Sequence, residues 1–189
     1  MERPWPWLNL SVEQAARRLL GCELHRNLDG EVLRVRIVEV EAYSEDDPAS
    51  HAFIGPTRRN AAMFLGAGHA YVYLSHGLHR CLNVVTGIEG VGSGVLIRAA
   101  APLDGLTTME RLRGRGGFEL TNGPGKLGQA LALDLTHTGH DLTLPPLRLI
   151  EGPPVPDEEL VVTTRIGISK AAELPRRFYI ASSPWVSRR

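Results

Sequence analysis

The chain has 189 residues, of which 43% are hydrophobic and 22% are charged, and its 21 basic side chains equal its 21 acidic ones in number. A chain of this length can bury about 70% of the surface that it exposes when unfolded, so we expect one domain over residues 1–189 with one main core. The balanced charge argues against a protein that coats nucleic acid without discrimination, and no run of about 18 apolar residues predicts a membrane span.

The N-terminal segment MERPWPWLNL contains acidic and proline residues where a signal peptide needs a basic start and a long apolar centre. We therefore expect a cytoplasmic protein. Cys22 and Cys81 are too few for a disulfide scaffold and lack the CxxC spacing of a zinc site. Since free cysteine usually packs as a small hydrophobic residue, we expect both to be buried thiols.

The first predicted elements are a short helix and a β-hairpin. The sequence SVEQ, which begins at Ser11, is a capping-box pattern and predicts a helix over Val12–Leu20. A turn at Asn27–Gly30 then predicts that a strand at Cys22–Arg26 pairs with a long strand at Glu31–Tyr43.

The long strand Glu31–Tyr43 carries an unusual polar face. Because side chains alternate across a strand, Glu39, Glu41 and Tyr43 share one face, while valine and alanine side chains form the other and predict a core contact. Ionised carboxylates beside an apolar interior are costly unless they are paired, hydrogen-bonded or functional. A ring beside a carboxylate suits a pocket that stacks a planar substrate and directs a water molecule at it.

The rest of the chain predicts a mixture of short strands and helices, and therefore an α+β fold with a largely antiparallel sheet. Strands are expected at His69–Ser75, His79–Thr86, Ser93–Ala100, Leu147–Ile150, Leu160–Ile168 and Phe178–Ala181. Helices are expected at Asn60–Leu65, from a cap at Asp104 to about Leu112, and from Asn122 to Leu133. The strands expected at His69–Ser75 and His79–Thr86 flank His76 and Gly77, so they should form a hairpin with His76 near its tip.

Nine sequence motifs, taken in order, resemble the alkyladenine or 3-methyladenine DNA glycosylase family. Any one of them is weak, but nine in the same order, from about Leu20 to the end, form a strong match. The motifs are EAY at Glu41–Tyr43, His51, TRRNAAMF at Thr57–Phe64, YVYLSHG at Tyr71–Gly77, Asn83, VLIRA at Val95–Ala99, NGPGKLGQAL at Asn122–Leu131, TRIGIS at Thr164–Ser169 and RRFYIASSPWVS at Arg176–Ser187.

The resemblance implies a single compact α+β domain with a curved, largely antiparallel sheet, flanking helices and a protruding β-hairpin. It also implies a monofunctional enzyme that flips a damaged purine, alkylated or deaminated, out of double-stranded DNA and hydrolyses its N-glycosidic bond, which initiates base excision repair. Extrusion of a base costs roughly a few kcal/mol, which stacking on aromatic side chains can offset. The resemblance implies neither a cofactor nor a metal. We expect a monomer that associates with the nucleoid through DNA and does not bind a membrane.

The resemblance assigns the catalytic roles to Glu41, Arg98 and Ile166. Glu41 is the general base that polarises a water aimed at the sugar C1′, Arg98 holds that water and orients the carboxylate, and the backbone carbonyl of Ile166 also contacts the water. Without the family match, Glu41 is a strand carboxylate paired with an arginine such as Arg98, and the two interpretations overlap. Neither lysine, Lys126 or Lys170, corresponds to a catalytic position, so we expect no Schiff base and no strand cleavage.

Tyr43, His51, Tyr73 and Asn83 correspond to the family's base pocket, in which aromatic faces hold the flipped purine and Asn83 reads its exocyclic groups. The residues alone leave other interpretations open. Tyr71 and Tyr73 lie on one face of a strand, so one can belong to the pocket and the other to the core. His51 alone is more often a loop or core histidine, and Asn83 can equally bond to the backbone of a neighbouring strand.

Five residues correspond to the family's DNA-contacting surface: His76, Leu78, His79, Arg59 and Met63. The family usually has tyrosine at the hairpin tip, where it fills the space left by the flipped nucleotide, and this chain has His76. Imidazole is smaller and can become cationic near pH 6.5, so we expect weaker or more pH-dependent extrusion. Candidates for phosphate contacts are Arg58, Arg59, Arg165, Lys170, Arg176 and Arg177.

Two other functions compete with this interpretation. A metal hydrolase would use the His-x-x-His spacings and a nearby carboxylate, but neither pair lies in an HExxH helix and Gly77 interrupts the first. The side chains concerned are His76, His79, His137, His140 and Asp141. A non-catalytic nucleic-acid-binding module is the second alternative, for which Glu41 would be an odd choice in the pocket of an anionic ligand.

Overall fold

The computed structural model describes residues 4–189, in which one antiparallel sheet of eight strands is flanked by three α-helices. The strands are β1 (Glu23–Leu28), β2 (Glu31–Tyr43), β3 (Ala70–Ser75), β4 (His79–Val85), β5 (Gly94–Asp104), β6 (Leu147–Ile150), β7 (Leu160–Thr163) and β8 (Arg177–Ile180). The helices are α1 (Val12–Leu19), α2 (Leu106–Arg113) and α3 (Pro124–Ala130). Met1–Arg3, the start of the segment from which we inferred the absence of a signal peptide, lie outside the described residues.

Strand β2 organises the sheet, whose order is β3-β4-β5-β2-β1-β6. One edge of β2 pairs with β5, and the other pairs first with β1 and then, over Glu39–Glu41, with β8, which also pairs with β7. The register between β2 and β5 shifts between Ile37 and Val40, and such bulges bend a strand and increase its twist. The sheet is therefore curled into a half-barrel, and the predicted α+β fold with a curved antiparallel sheet is confirmed.

Helix α1 forms where its cap predicts it. The backbone N–H of Gln14 donates to the Ser11 hydroxyl, and the Ser11 N–H donates to the Gln14 side chain, each over 3.3 Å. The helix buries Val12, its two alanines and Leu19 against β2 and β5, and ends one residue earlier than predicted. Both cysteines are buried free thiols, as expected.

The predicted helix cap at Asp104 is wrong. Strand β5 continues to Asp104, whose carboxylate is 2.6 Å from Nη1 of Arg34, and Gly105 precedes the helix instead. Gly105 has a φ of +79°, and a Cβ at this position would lie 2.4 Å from a methyl group of Leu33. The positive φ and the close approach of Leu33 thus favour glycine at the junction between β5 and α2.

Three other predicted elements are clearly shorter than expected, and one of them is the helix predicted at Asn122–Leu133, which spans Pro124–Ala130. The helix predicted at Asn60–Leu65 is a single 3-10 turn, Ala61–Phe64. The strand predicted at Leu160–Ile168 ends at Thr163, because the Arg165 side chain is buried in contact with Asp47 and the chain leaves the sheet there. In the part of the chain that the structure describes, no helix combines the length and apolarity needed to cross a membrane.

Strands β3 and β4 form the predicted hairpin. Ser75 pairs with His79, so His76, Gly77 and Leu78 form the connecting loop. His76 has a φ of +49° and Gly77 a φ of +71°. The tip is exposed, which places the side chains of His76 and Leu78 in solvent at the end of the hairpin.

Candidate active site

Strand β2 carries Glu41 into the interior, where its side chain is fully buried. Its Oε1 accepts a hydrogen bond of 2.8 Å from the backbone N–H of Ile166, and its Oε2 accepts one of 2.8 Å from the Tyr43 hydroxyl. The guanidinium of Arg98, on β5, forms an ion pair with Glu41, with Nη1 3.3 Å from Oε1. The pairing with Arg98 that the sequence left open is therefore present. Ile166 contacts the carboxylate through its amide N–H, whereas the resemblance implied a contact from its carbonyl to a water.

Tyr43 links the carboxylate to the rest of the site. Burial raises the pKa of its hydroxyl, and the negative charge of Glu41 and the hydrogen bond to it raise that pKa further. The phenol therefore stays protonated at neutral pH and remains a hydrogen-bond donor to Glu41. On one face of the ring lies the Arg165 guanidinium, 4.6 Å from the ring centroid.

Arg165 and Asp47 form a buried ion pair that holds this part of the site together. Nη1 of Arg165 contacts Asp47 Oδ2 and donates to the carbonyl of Ala42 over 3.1 Å, while Nη2 donates to Asp47 Oδ1 over 3.2 Å and to the carbonyl of Ala171 over 3.2 Å. Burial alone would raise the pKa of Asp47, but hydrogen bonds from Arg165, the Ala49 N–H and Arg176 outweigh it and keep the pKa below its ordinary value. The pair fixes the chain immediately before Ile166.

A cavity of about 420 Å³ opens above Glu41. It brings together the three residues to which the resemblance assigned catalysis, Glu41, Arg98 and Ile166, and it is also lined by the hairpin residues His76 and His79. Several other lining residues were given no role in the site by the resemblance, and no local pattern connects them to β2: Ser75, Cys81, Gly125, Lys126 and Ile168.

A second cavity of about 180 Å³ adjoins the first. All four residues of the base pocket that the resemblance implied line it: Tyr43, His51, Tyr73 and Asn83. Tyr43, Tyr73 and Ser75 line both cavities, so the two spaces share a wall. Met63, which the resemblance grouped with the DNA-contacting residues, is 2% exposed and also lines this smaller cavity.

The aromatic rings of the smaller cavity are held against one another. The His51 and Tyr73 rings meet edge to face, with centroids 4.6 Å apart and planes at 82°, and Nδ1 of His51 is 3.0 Å from the Tyr71 hydroxyl oxygen. His51 is partly exposed as a residue, yet the desolvation of its ring beside Tyr71 and Tyr73 lowers its pKa, and the positive charge of Arg59 lowers it further, which favours the neutral imidazole at pH 7. Burial also raises the pKa of Tyr73, which lies beside Cys81.

The structure shows where three of the predicted pocket residues lie, and Tyr71 as well as Tyr73 lines the smaller cavity. Tyr71 is 1% exposed and packs in a small apolar cluster, whereas Tyr73 is only half-buried between the two cavities. Asn83 donates from Nδ2 to the backbone carbonyl of Tyr71 over 3.1 Å and lines the smaller cavity as well.

The remaining residues of the implied DNA-contacting surface are exposed. Leu78 is 72% exposed at the hairpin tip, His76 and His79 are exposed beside it, and Arg59 donates from Nη2 to the carbonyl of Leu74 over 3.4 Å. Of these side chains, His76 and His79 line the larger cavity.

Two of the predicted phosphate contacts are wrong. Arg165 is buried against Asp47, and Arg177 is buried with Nε 2.7 Å from Glu39 Oε1, so neither can reach a DNA backbone. Arg176 is also engaged, with Nε 2.8 Å from Glu13 and Nη1 3.2 Å from Asp47. The sequence did not reveal that these arginines pair with buried carboxylates, because the partners are far apart in the chain: Asp47 and Arg165 are separated by 118 residues.

Lys126 lies closer to the site than the resemblance implied, because it lines the larger cavity together with Glu41. Its Nζ donates to both carboxylate oxygens of Glu119 over 3.0 Å and to the side-chain oxygen of Asn122 over 2.8 Å. All three donors of the ammonium group are thus engaged. Lys126 therefore lies at the cavity wall with its side chain in contact with Glu119 and Asn122.

Within the described part of the chain, the histidine residues with His-x-x-His spacing do not form a metal site with other ligands. Among residues 4–189 no group of three or more histidine, cysteine, aspartate or glutamate side chains could hold a metal ion. His137 is instead 3.0 Å from Asp134, and Nε2 of His140 is 2.9 Å from the carbonyls of Leu144 and Leu147.

Comparison with known proteins agrees with the resemblance. The family described as methylpurine-DNA glycosylase matches residues 6–184. A relative from Methanoculleus marisnigri is 51% identical over 195 aligned positions that cover all of both chains, and one from Carboxydothermus hydrogenoformans is 49% identical over 176 positions, or 92% of each chain. A third, from Rubrobacter xylanophilus, is 52% identical over 86% of this chain and 85% of its own, and all three bear the provisional name 3-methyladenine DNA glycosylase. The chain thus belongs to the methylpurine-DNA glycosylase family and is a DNA glycosylase, a hydrolase of N-glycosyl bonds.

Proposed function

We propose that this protein flips damaged purines, alkylated or deaminated, out of double-stranded DNA and hydrolyses their N-glycosidic bond with a water activated by Glu41. It acts as a monomer without a cofactor and leaves an abasic site, which initiates base excision repair. The single observation that carries the proposal is the position of Glu41, a buried carboxylate that lines a cavity sharing Tyr43 and Tyr73 with a second, aromatic cavity.

The two cavities fit the two parts of an extruded nucleotide. The smaller one has the ring-lined walls that a planar base needs, and the larger one leaves room for the sugar and its phosphates above Glu41. Stacking on aromatic side chains contributes on the order of 1 to 3 kcal/mol per base, which is similar to the cost of unstacking and unpairing. Tyr43, Tyr73 and His51 supply the stacking, and the exposed hairpin tip at His76 fills the space that the nucleotide vacates.

The contacts of Glu41 suit a general base. An ionised carboxylate has about four lone-pair sites, and the Ile166 N–H and the Tyr43 hydroxyl occupy two of them, while the Arg98 guanidinium forms an ion pair at Oε1. A free lone pair accepts a water, which Arg98 helps to orient. As the bond between C1′ and the base breaks, the water oxygen bonds to C1′, its proton passes to Glu41, and the bonding electrons leave with the base.

The composition of the cavities favours cationic lesions. Among the described residues Glu41 is the one carboxyl group that lines either cavity, so no second carboxylic acid is placed to protonate the departing base. An alkylated purine already carries a positive charge and leaves as a neutral molecule, whereas hypoxanthine requires a proton. We therefore propose 3-methyladenine and 7-methylguanine as better substrates than hypoxanthine.

The experiment that tests the proposal measures release of free base from duplexes that each carry one lesion: 3-methyladenine, 7-methylguanine, ethenoadenine or hypoxanthine. The Glu41→Gln variant should lose base release and keep its affinity for lesion DNA, because glutamine keeps the hydrogen-bonding shape and lacks the base. Glu158→Gln, at an exposed position, is the matched control. Full activity of Glu41→Gln would refute the assigned mechanism.

The same experiment separates the proposal from a protein that only binds nucleic acid. Such a protein would bind lesion duplexes and release no base, and Glu41→Gln would change little. Borohydride reduction during turnover tests the expected absence of strand cleavage. A trapped adduct at Lys126, the lysine that lines the larger cavity, would contradict the monofunctional mechanism.

A further inference from the structure

A second buried carboxylate, Glu39, lies two residues before Glu41 on β2 and is fully enclosed by protein. Its Oε1 accepts hydrogen bonds from Nε of Arg177 over 2.7 Å and from the Ser187 hydroxyl over 2.9 Å. Its Oε2 accepts a hydrogen bond of 2.6 Å from the Ser187 backbone N–H. The C-terminal segment, residues 182–189, is thereby attached to the strand that carries Glu41.

Arg98 lies between the two carboxylates. Its Nε is 3.3 Å from Oε1 of Glu39, and its Nη1 is 3.3 Å from Oε1 of Glu41. Among the described residues the buried Nε has no hydrogen-bond partner with acceptable geometry. The position of the guanidinium group is therefore set by attraction to two opposite charges and less by directed hydrogen bonds, so moving or neutralising either charge displaces it.

Glu39 is itself held by Arg177 and Ser187, which contact its carboxylate together with Arg98. Arg177 donates through Nη2 to the backbone carbonyl of Arg188, and its guanidinium lies 4.9 Å from the centroid of the Tyr179 ring. Ser187 contributes two donors, one from its side chain and one from its backbone. These contacts hold both oxygens of Glu39 in place, so the position of its negative charge relative to Arg98 is fixed.

We propose that Glu39, held by Ser187 of the C-terminal segment, is a positioning residue that sets where the Arg98 guanidinium lies relative to Glu41 and its water. The inference rests on the proposed function, since it concerns the alignment of the same hydrolytic water. Glu39 lines neither cavity and touches no reacting group, so its effect is exerted through Arg98.

The alternative is that Glu39 only neutralises Arg177 in the core. In that case its loss lowers the stability of the fold and leaves the rate of the folded enzyme unchanged. A positioning role predicts a lower rate of the chemical step with unchanged affinity for lesion DNA, because Arg98 is misplaced while the aromatic pocket is intact. The two cases therefore differ in whether the rate of base release by the folded variant falls while its affinity for lesion DNA stays the same.

The test measures single-turnover base release and the Kd for a duplex carrying 7-methylguanine, together with urea unfolding of each protein. Ser187→Ala removes the hydroxyl donor and keeps the backbone donor, Ser187→Thr keeps both, and Glu39→Gln removes the charge. Ser182→Ala is the matched control, since the exposed Ser182 hydroxyl in the same segment donates to Glu159 over 3.3 Å.

We expect Ser187→Ala to slow base release about 5-fold, less than the full value of a hydrogen bond to a charged group because the Ser187 backbone N–H still holds Glu39. We expect Glu39→Gln to slow it about 10- to 100-fold through misplacement of Arg98. Affinity should stay within about 2-fold by the same argument, and Ser187→Thr should restore the rate. Wild-type rates in folded Ser187→Ala would overturn the inference even if Glu39→Gln did not fold. A wild-type protein that releases no base would instead refute the proposed function itself, and this inference with it.

Discussion

The guanidinium carbon of Arg165 lies 4.6 Å from the centroid of the Tyr43 ring. The residue after Arg165 donates its backbone N–H to Glu41, and the hydroxyl of Tyr43 donates to the other oxygen of the same carboxylate. One buried arginine therefore positions two of the three donors that surround the proposed base. Because Arg165 is itself fixed by Asp47, the alignment of the site depends on an ion pair that lies outside both cavities.

The first prediction concerns that ion pair. Asp47→Asn leaves Arg165 buried without its counter-charge, and removal of one partner of a buried pair destabilises a protein by about 3 to 5 kcal/mol. Urea unfolding at pH 7 should show this loss, and Asp46→Asn, at an exposed position one residue earlier, should show a change within about 0.5 kcal/mol. A loss below about 1 kcal/mol in Asp47→Asn would show that the pair is weakly coupled to the fold.

The pH dependence of stability gives a second prediction from the same carboxylate. The folded pKa of Asp47 is lower than its unfolded value, so its contribution is fully present above the unfolded pKa of about 3.9 and is lost as pH falls through the folded value. The free energy of unfolding of the wild type should therefore fall more steeply below about pH 4 than that of Asp47→Asn. If the free energy of unfolding fell equally steeply below about pH 4 in both proteins, the lowered pKa would not belong to Asp47.

The third prediction concerns the Tyr43 hydroxyl. Tyr43→Phe keeps the ring for stacking and removes a hydrogen bond to a charged group, which is worth about 1.5 to 3 kcal/mol. We expect single-turnover base release to fall about 10- to 100-fold while lesion affinity stays nearly constant. Tyr179→Phe, on β8, controls for the loss of a phenol hydroxyl elsewhere in the chain. An equal loss of affinity and rate would mean that the hydroxyl contacts the base and not only Glu41.

Local sequence patterns predicted the elements whose causes are local. The bounds of β2, Glu31–Tyr43, follow from its β-branched residues and from the turn before it, and the cap of α1 follows from Ser11 and Gln14. The hairpin with His76 at its tip follows from the two alternating runs on either side of it. Each of these depends on residues that are close together in the chain.

What the sequence could not predict depends on partners far away in the chain. The early end of β7 and the burial of Arg165 both result from Asp47, 118 residues earlier. The position of Lys126 in the larger cavity results from the packing of α3 against β4, which no spacing in the NGPGKL motif reveals. The resemblance assigns the candidate site residues by their order along the chain, and that order carries no information on which arginine side chain is exposed to solvent.

The fourth prediction concerns the protonation of His51. Burial lowers its pKa and the charge of Arg59 lowers it further, so its NMR titration should have a midpoint below the ordinary value of about 6.5. Arg59→Gln removes the second cause and should move the midpoint upward, without reaching 6.5 because the burial remains. Arg58→Gln, one residue earlier and exposed, should move it less. A midpoint above 6.5 in the wild type would contradict a neutral imidazole in the base pocket.

The last prediction concerns the hairpin tip. His76→Tyr enlarges the side chain that is proposed to fill the space left by the nucleotide, so the affinity for a lesion duplex should rise, by about 5-fold for 1 kcal/mol of added stacking. Tyrosine is less suited than histidine to the φ of +49° at this position, and this strain is the same in the free and the bound protein. It should therefore lower the free energy of unfolding without opposing the gain in affinity. Fluorescence anisotropy with lesion and undamaged duplexes, alongside urea unfolding, separates the two effects. An unchanged affinity with a normally folded protein would count against His76 as the residue that enters the duplex.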